Sequence, residues 1–247
     1  MNGPLEIQPQ PRPATPLALH PGAGRILKDE PRTLIWIEQL ADGTPAVLKL
    51  YRHRPLALGR RARREYEGLQ VIEKAGLPTT SPLFWAIGRN PAFGRFELLA
   101  TRLIPHARPL REILRGGPAA CPDLDPLFRD VARLHAAGLC HGALIPRNIL
   151  AYGDPLRFAI MDVPRNARFS RDIRGTRMAR FDLLDLCQEL LMYGAPDRRA
   201  HWLAAYGLAP EAAGILLERA STYRSSRDLR NWLRLEFQVR ARLDRFF

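Results

Sequence analysis

The hydrophobic period of this chain changes at Pro109, and that change limits the possible folds more than any other feature. Ahead of it, residues 25–27, 33–39 and 45–51 alternate as short strands, with Asp42-Gly43 supplying a hairpin turn between the last two. Residues 59–76 then carry Ala62, Glu65, Leu69 and Ile72 at spacings of three and four, with Arg63, Glu67, Gln70 and Lys74 opposite and Gly76 as the stop. Two further strands are predicted at 83–88 and 95–103. Beyond Pro109 the period is helical: 109–115, then 125–137 with Leu127, Val131 and Leu134 on one face and Gly138 as terminator. Helices are also expected around 181–192, 198–206, 210–220 and 227–247, after a strand ending at Asp162 and an arginine-rich irregular stretch over 165–180. The expected architecture is α+β and bilobal. A small antiparallel sheet with one main helix forms an N-lobe over 25–104, and a mainly helical C-lobe covers 105–247. Residues 1–24, with Pro4, Pro9, Pro11, Pro13, Pro16 and Pro21, are expected to be a flexible arm.

With 247 residues, 46% of them hydrophobic, the chain can bury a substantial core. Its 38 Lys+Arg against 25 Asp+Glu give a formal net charge of +13, so its partners are expected to be anionic: phosphates, an anionic membrane face or nucleic acid. Nucleic acid drops out, because no recognition motif is present and few aromatic residues interleave with the arginines. Cys121, Cys140 and Cys187 form no C-x-x-C pair, which fits free thiols in a reducing compartment. No uninterrupted apolar run is long enough to cross a bilayer, and the first residues lack a charged head and apolar stretch; the expected location is cytoplasmic.

The chemistry concentrates in two places. His141-Gly142-Ala143-Leu144-Ile145-Pro146-Arg147-Asn148, followed by Ile160-Met161-Asp162, has the layout of a phosphotransferase catalytic loop and its metal-binding strand. In the pattern H-x-D-x-x-x-x-N the Asp accepts or orients the acceptor proton and the Asn holds Mg2+. Asn148 is in place, and Ala143 leaves the base position vacant. Asn148 and Asp162 are the two candidate metal ligands, both oxygen donors of the kind magnesium takes alongside nucleotide phosphates. An Asp after a strand is also a common turn initiator, so the joint spacing is what points to metal.

Lys28, Lys49 and Lys74 are the only lysines, and Lys49 sits within the apolar run Ala46-Val47-Leu48-Lys49-Leu50-Tyr51. Strand lysines ordinarily point to solvent. Glu65 changes that reading, because a carboxylate on a core-facing helical stripe needs a cation to meet it. A Lys49–Glu65 pair would hold the lysine toward nucleotide phosphates. Asp182 opens the helix starting near Phe181, either as a helix N-terminal acid or as a brace under the catalytic loop. His141 is likewise either a loop brace or a displaced general base.

These residues resemble the lipopolysaccharide core kinases, the Kdo and heptose kinase family, itself similar to protein kinases. The likeness runs from about Ala46 to Leu191 and rests on 46–51, the Arg-Glu-Tyr-Glu-Gly-Leu segment at 64–69, 141–150, 160–162 and 180–186. It implies a protein-kinase-like fold, ATP and Mg2+ as cofactors, and transfer of the ATP γ-phosphate to a sugar hydroxyl of the lipid-linked core at the cytoplasmic face of the inner membrane. The sequence departs from the family at Ala143, at Val163-Pro164 after Asp162, and in a turn over 28–32 that has no glycine. Loss of a positioned base lowers a rate on the order of 10²–10⁴-fold. A nucleotide-binding pseudokinase that regulates envelope assembly is therefore the alternative expectation. A small-molecule, antibiotic-type phosphotransferase is a further one, against which the basic 165–180 stretch favours an anionic glycolipid acceptor.

Two basic surfaces fit a peripheral position on that membrane. One is the cluster Arg52, Arg54, Arg60, Arg61, Arg63 and Arg64. The other is the segment 227–247, where Trp232, Leu235, Val239, Leu243 and Phe246 form a stripe among arginines. Packing of that stripe on the helical lobe is the competing expectation.

Overall fold

The computed structural model describes residues 5–11, 19, 24–52, 61–90, 94–163, 165–193 and 198–225. They fall into two compact units, one of residues 1–70 and 80–105 and the other of residues 71–79 and 106–247. The expected N-lobe of 25–104 thus gains its N-terminal segment and yields the end of its helix to the other unit.

The first unit holds one antiparallel sheet of six strands: β1 (Glu6–Gln10), β2 (Arg25–Glu30), β3 (Thr33–Gln39), β4 (Pro45–Arg52), β5 (Pro82–Asn90) and β6 (Gly94–Arg102), in the order β1-β5-β6-β4-β3-β2. Beside it lies α1 (Arg61–Lys74). The side-chain period of two decides everything about β4. Ala46, Leu48 and Leu50 turn to one face and are fully buried, the two leucines in a cluster with Trp36, Phe84, Phe96 and Leu98. Lys49 and Tyr51 are thereby committed to the other face. Across the ladder Tyr51 pairs with Glu97, which points the same way. Both faces of β6 are covered, and Phe96 to Thr101 are buried without interruption.

Residues 1–24 are not an irregular arm throughout. Glu6–Gln10 is an edge strand antiparallel to β5, with Glu6 opposite Arg89 and Gln10 opposite Trp85. Prolines argue against a central strand but are compatible with an edge, where one row of N–H groups has no ladder partner. Leu5 and Leu19 flank that strand and are buried in the sheet's apolar cluster, which is what ties the segment down.

The second unit is mainly helical, with α2 (Leu110–Leu114), α3 (Asp125–Ala136), α4 (Arg177–Tyr193), α5 (Arg199–Tyr206) and α6 (Pro210–Ser225). Helix α4 starts earlier than expected and is buried on nearly every side from Met178 to Leu190. Phe128 of α3 stacks on Trp202 of α5 at 6.2 Å. Short strands carry the loops, and of these the sequence announced only the one before Asp162, which ends two residues earlier at Ile160. β7 (Arg108–Pro109), β9 (Ile149–Tyr152) and β10 (Arg157–Ile160) form one small sheet, and β8 (Leu139–Cys140) pairs with β11 (Ala167–Arg168). β11 lies within the stretch expected to be irregular. Gly138 ends α3 at φ +76, where a Cβ would stand 2.2 Å from the Phe169 carbonyl oxygen, so no other residue fits. The expected helix at 227–247 lies outside the described residues.

Candidate functional site

In the first unit, Lys49 Nζ lies 3.1 Å from Oε1 and 3.4 Å from Oε2 of Glu65. The lysine side chain is 14% exposed and the carboxylate 3%, so the pair is largely removed from water. Tyr51 donates its hydroxyl to Oε2 of the same carboxylate. That third member was missed, although its position two residues beyond Lys49 on a strand predicts a shared face. Arg61 lies over the Tyr51 ring at 4.4 Å. Glu97 accepts the Ala62 amide N–H at 2.6 Å, satisfying a first-turn donor of α1 with a charge favourable to the helix dipole. One sheet face therefore fixes both the register of α1 and the lysine that its Glu65 meets.

In the second unit, the loop after β8 is held from below by Asp182. Its Oδ2 accepts the His141 amide at 2.6 Å and its Oδ1 the Gly142 amide at 2.8 Å. Cys140 Sγ and His135 Nε2 each stand 3.2 Å from Oδ2. Burial pushes the Asp182 pKa up, but the His135 hydrogen bond, the fields of His135 and His141, and the His141 amide outweigh it and leave the group below its ordinary 3.8. Asp182 lies past the first turn of α4, fully buried, so the helix-terminus reading does not describe it.

His141 is buried, with Nε2 3.0 Å from the Met161 carbonyl and Nδ1 3.2 Å from the Ala143 amide. Those partners assign the proton to Nε2 and leave Nδ1 accepting from Ala143. Burial lowers the imidazole pKa below 6.5 against the opposing pull of Asp182 and the Met161 carbonyl. Both nitrogens are engaged within the loop, which is the geometry of a brace and not of a base facing an acceptor.

Ala143 is half-buried, and its carbonyl accepts Asn148 Nδ2 at 2.9 Å. The span His141 to Leu150 contains no carboxylate. The Met161 amide donates to the Asn148 carbonyl at 3.0 Å, continuing the β9–β10 ladder in which Ile149 faces Ile160. This sets Asp162 one residue past Asn148's partner. Asp162 adopts φ 58, a left-handed conformation uncommon outside glycine and a recurrent signature of functional sites. Thr79 anchors the strand end beneath it, its hydroxyl donating to the Ile160 carbonyl at 2.6 Å. With its amide nitrogen committed to Ala143, Asn148 has Oδ1 to offer a metal, and with the Asp162 carboxylate it makes a pair of hard oxygen donors. That set fits Mg2+, which takes one or two protein oxygens plus phosphates. No cluster of three or more His, Cys, Asp or Glu among the described residues suggests a softer or self-sufficient metal cage.

Charge on the described surface is partly neutralised. Arg52 pairs with Asp29 at 3.0 Å and Arg63 with Glu67 at 2.7 Å, while Arg54 and Arg60 lie outside the described residues. Over 165–180, Arg165, Arg168, Arg171, Arg177 and Arg180 are exposed. The three cysteines are free and buried. No helix among the described residues is long and apolar enough to cross a membrane.

The sequence model of the Lipopolysaccharide kinase (Kdo/WaaP) family matches residues 43–206. Among solved structures the chain is similar to WaaP in complex with acyl carrier protein, at 18% identity and a TM-score of 0.58 over 87% of this chain and 88% of that one. It is also similar to the Rio2 kinase-ADP/Mg2+-phosphoaspartate complex from Chaetomium thermophilum, at 17% identity and a TM-score of 0.48 over 88% and 70% of the two chains. No curated protein matches it. The likeness to WaaP shows a protein-kinase-like fold.

Proposed function

Since the chain belongs to the lipopolysaccharide kinase (Kdo/WaaP) family, we propose that it binds ATP with Mg2+ and acts on an anionic lipopolysaccharide-core acceptor, with phosphoryl transfer impaired by Ala143. Lys49, oriented by Glu65, holds the nucleotide phosphates; Asn148 and Asp162 hold the metal, which neutralises phosphate charge when bound. His141 and Asp182 shape the loop and carry no proton to or from the substrate. The net charge of +13 and the exposed arginines of 165–180 favour a phosphorylated glycolipid over a cationic small molecule, and support work at the cytoplasmic face of the inner membrane.

The observation that carries this reading is that the loop retains its internal bracing around an empty base position. Asp182 holds two successive loop amides, and Asn148 holds the Ala143 carbonyl. The absence of any carboxylate between His141 and Leu150 favours a second reading, a nucleotide-binding regulator without turnover.

Magnesium-dependent ATP binding and hydrolysis, measured on this chain and on Ala143→Asp, separate the two. The expected result is binding in both and turnover rising on the order of 10²–10⁴-fold in the Asp form. Binding without turnover in either supports the regulator. No nucleotide binding in either overturns both.

A further inference from the structure

The helical unit contains a cavity of about 140 Å³, walled by α4, α5 and α6. Its lining is apolar, with Leu183, Leu184, Leu208, Ile215 and Leu216, and Ile215 is 67% exposed. That volume is close to the roughly 150 Å³ of an apolar cavity able to take benzene. Two side chains at the same cavity, Arg180 and Arg219, are exposed, and neither has an ion-pair partner among the described residues. An apolar hollow edged by two cations is complementary to an anionic amphiphile.

Tyr206 also lines the cavity, and its hydroxyl stands 2.8 Å from His135 Nδ1. His135 Nε2 reaches Asp182, and Asp182 holds the amides of His141 and Gly142. Tyr206, His135 and Asp182 are all buried. With Asp182 ionised, Nε2–H donates to the carboxylate and Nδ1 accepts the tyrosine hydroxyl, so the chain from cavity wall to loop backbone is continuous. A ligand against the Tyr206 ring would touch the first member of that chain.

We propose that this cavity binds a small monocarboxylate, its apolar body among the leucines and its carboxylate on Arg180 and Arg219, and that occupancy stiffens the His141–Gly142 backbone through Tyr206, His135 and Asp182. The proposal does not depend on the phosphotransfer reading, and its test needs no turnover.

Isothermal titration of the full chain with hexanoate, hexanol and hexylamine tests the site. Hexanoate is expected to bind saturably and about tenfold more tightly than hexanol, as charge-assisted hydrogen bonds to arginine require. Hexylamine is expected not to bind. Arg180→Gln with Arg219→Gln should remove the advantage over hexanol, and Ala212→Phe, which fills the cavity from an exposed position on α6, should abolish binding of both. Amide exchange at His141 and Gly142 should slow when hexanoate is added to the parent chain but not when it saturates Tyr206→Phe. Absence of saturable hexanoate binding to the parent chain overturns the proposal, as does equal affinity for hexanol or binding unaffected by Ala212→Phe. Equal slowing in Tyr206→Phe overturns the coupling. A photoreactive group at position 215 that cross-links to residues 226–247 without ligand would assign the cavity to that segment and overturn the carboxylate site.

Discussion

Glu65 receives Lys49 and Tyr51 on one buried carboxylate, the ammonium at 3.1 Å from Oε1 and the phenol on Oε2. Removing the carboxylate therefore takes a partner from two polar groups at once. Glu65→Ala is expected to destabilise the protein by about 3 kcal/mol, as when one partner of a buried pair is deleted. Tyr51→Phe, which leaves the pair intact, should fall near 1 kcal/mol. Urea unfolding of the two variants checks the ranking, and a Tyr51→Phe loss as large as that of Glu65→Ala would contradict it.

Asp182 accepts two consecutive loop amides and a histidine N–H in a fully buried position. Asp182→Ala should destabilise the chain by about 3–5 kcal/mol. Asp182→Asn retains the shape and loses the charge, and should fall between that variant and the parent. Amide exchange at His141 and Gly142 is expected to accelerate in both, more than at amides of the first unit's sheet.

Acid should act in two stages. His141 has its folded pKa depressed below 6.5, so the neutral ring's contribution is complete above 6.5 and declines as pH falls from there toward the folded value. Asp182 is depressed below 3.8, so its contribution is complete above 3.8 and is lost only as pH drops further through its folded pKa. Melting temperature against pH should show a shallow decline starting near 6.5 and a steeper one below 3.8. In His141→Gln the first should flatten and the second persist.

Asp162 joins an uncommon backbone conformation to the metal-binding role proposed for it, and two substitutions separate them. Asp162→Asn tolerates the left-handed φ, so stability should hold within about 0.5 kcal/mol while Mg2+-dependent nucleotide affinity falls about 10- to 100-fold. Asp162→Ala should lose the same affinity and a further 1 kcal/mol or so of stability, because alanine resists that conformation. Parallel nucleotide titrations and thermal melts distinguish the two effects.

Much of the site was legible because it lies where sequence period meets burial. Glu65 falls on the stripe of Ala62, Leu69 and Ile72, and a buried carboxylate demands a cation, which the isolated Lys49 supplies. Asn148 and Asp162 were singled out as metal-ligand candidates by their spacing across a short strand, and the strand pairing of Ile149 with Ile160 accounts for that spacing. Tyr51 was not read although the strand period sets it on the Lys49 face, whereas Glu97, Thr79 and His135 were not read because each acts through a partner far away in sequence. Glu97 reaches Ala62, Thr79 reaches Ile160, and His135 reaches Asp182 and Tyr206. Such pairings appear only once the chain is folded. The edge strand Glu6–Gln10 was missed for a different reason: its prolines weigh against strands in general, and only its place at the sheet margin makes them tolerable.

The carboxylate of Glu97 accepts the Ala62 amide in the first turn of a helix, and no part in binding a substrate is proposed for it. Yet it sets the rotation and height at which Glu65 faces β4. A mutational scan read without coordinates would score position 97 beside Lys49 and Glu65, although its contact with the helix acts by placing the carboxylate that the lysine meets.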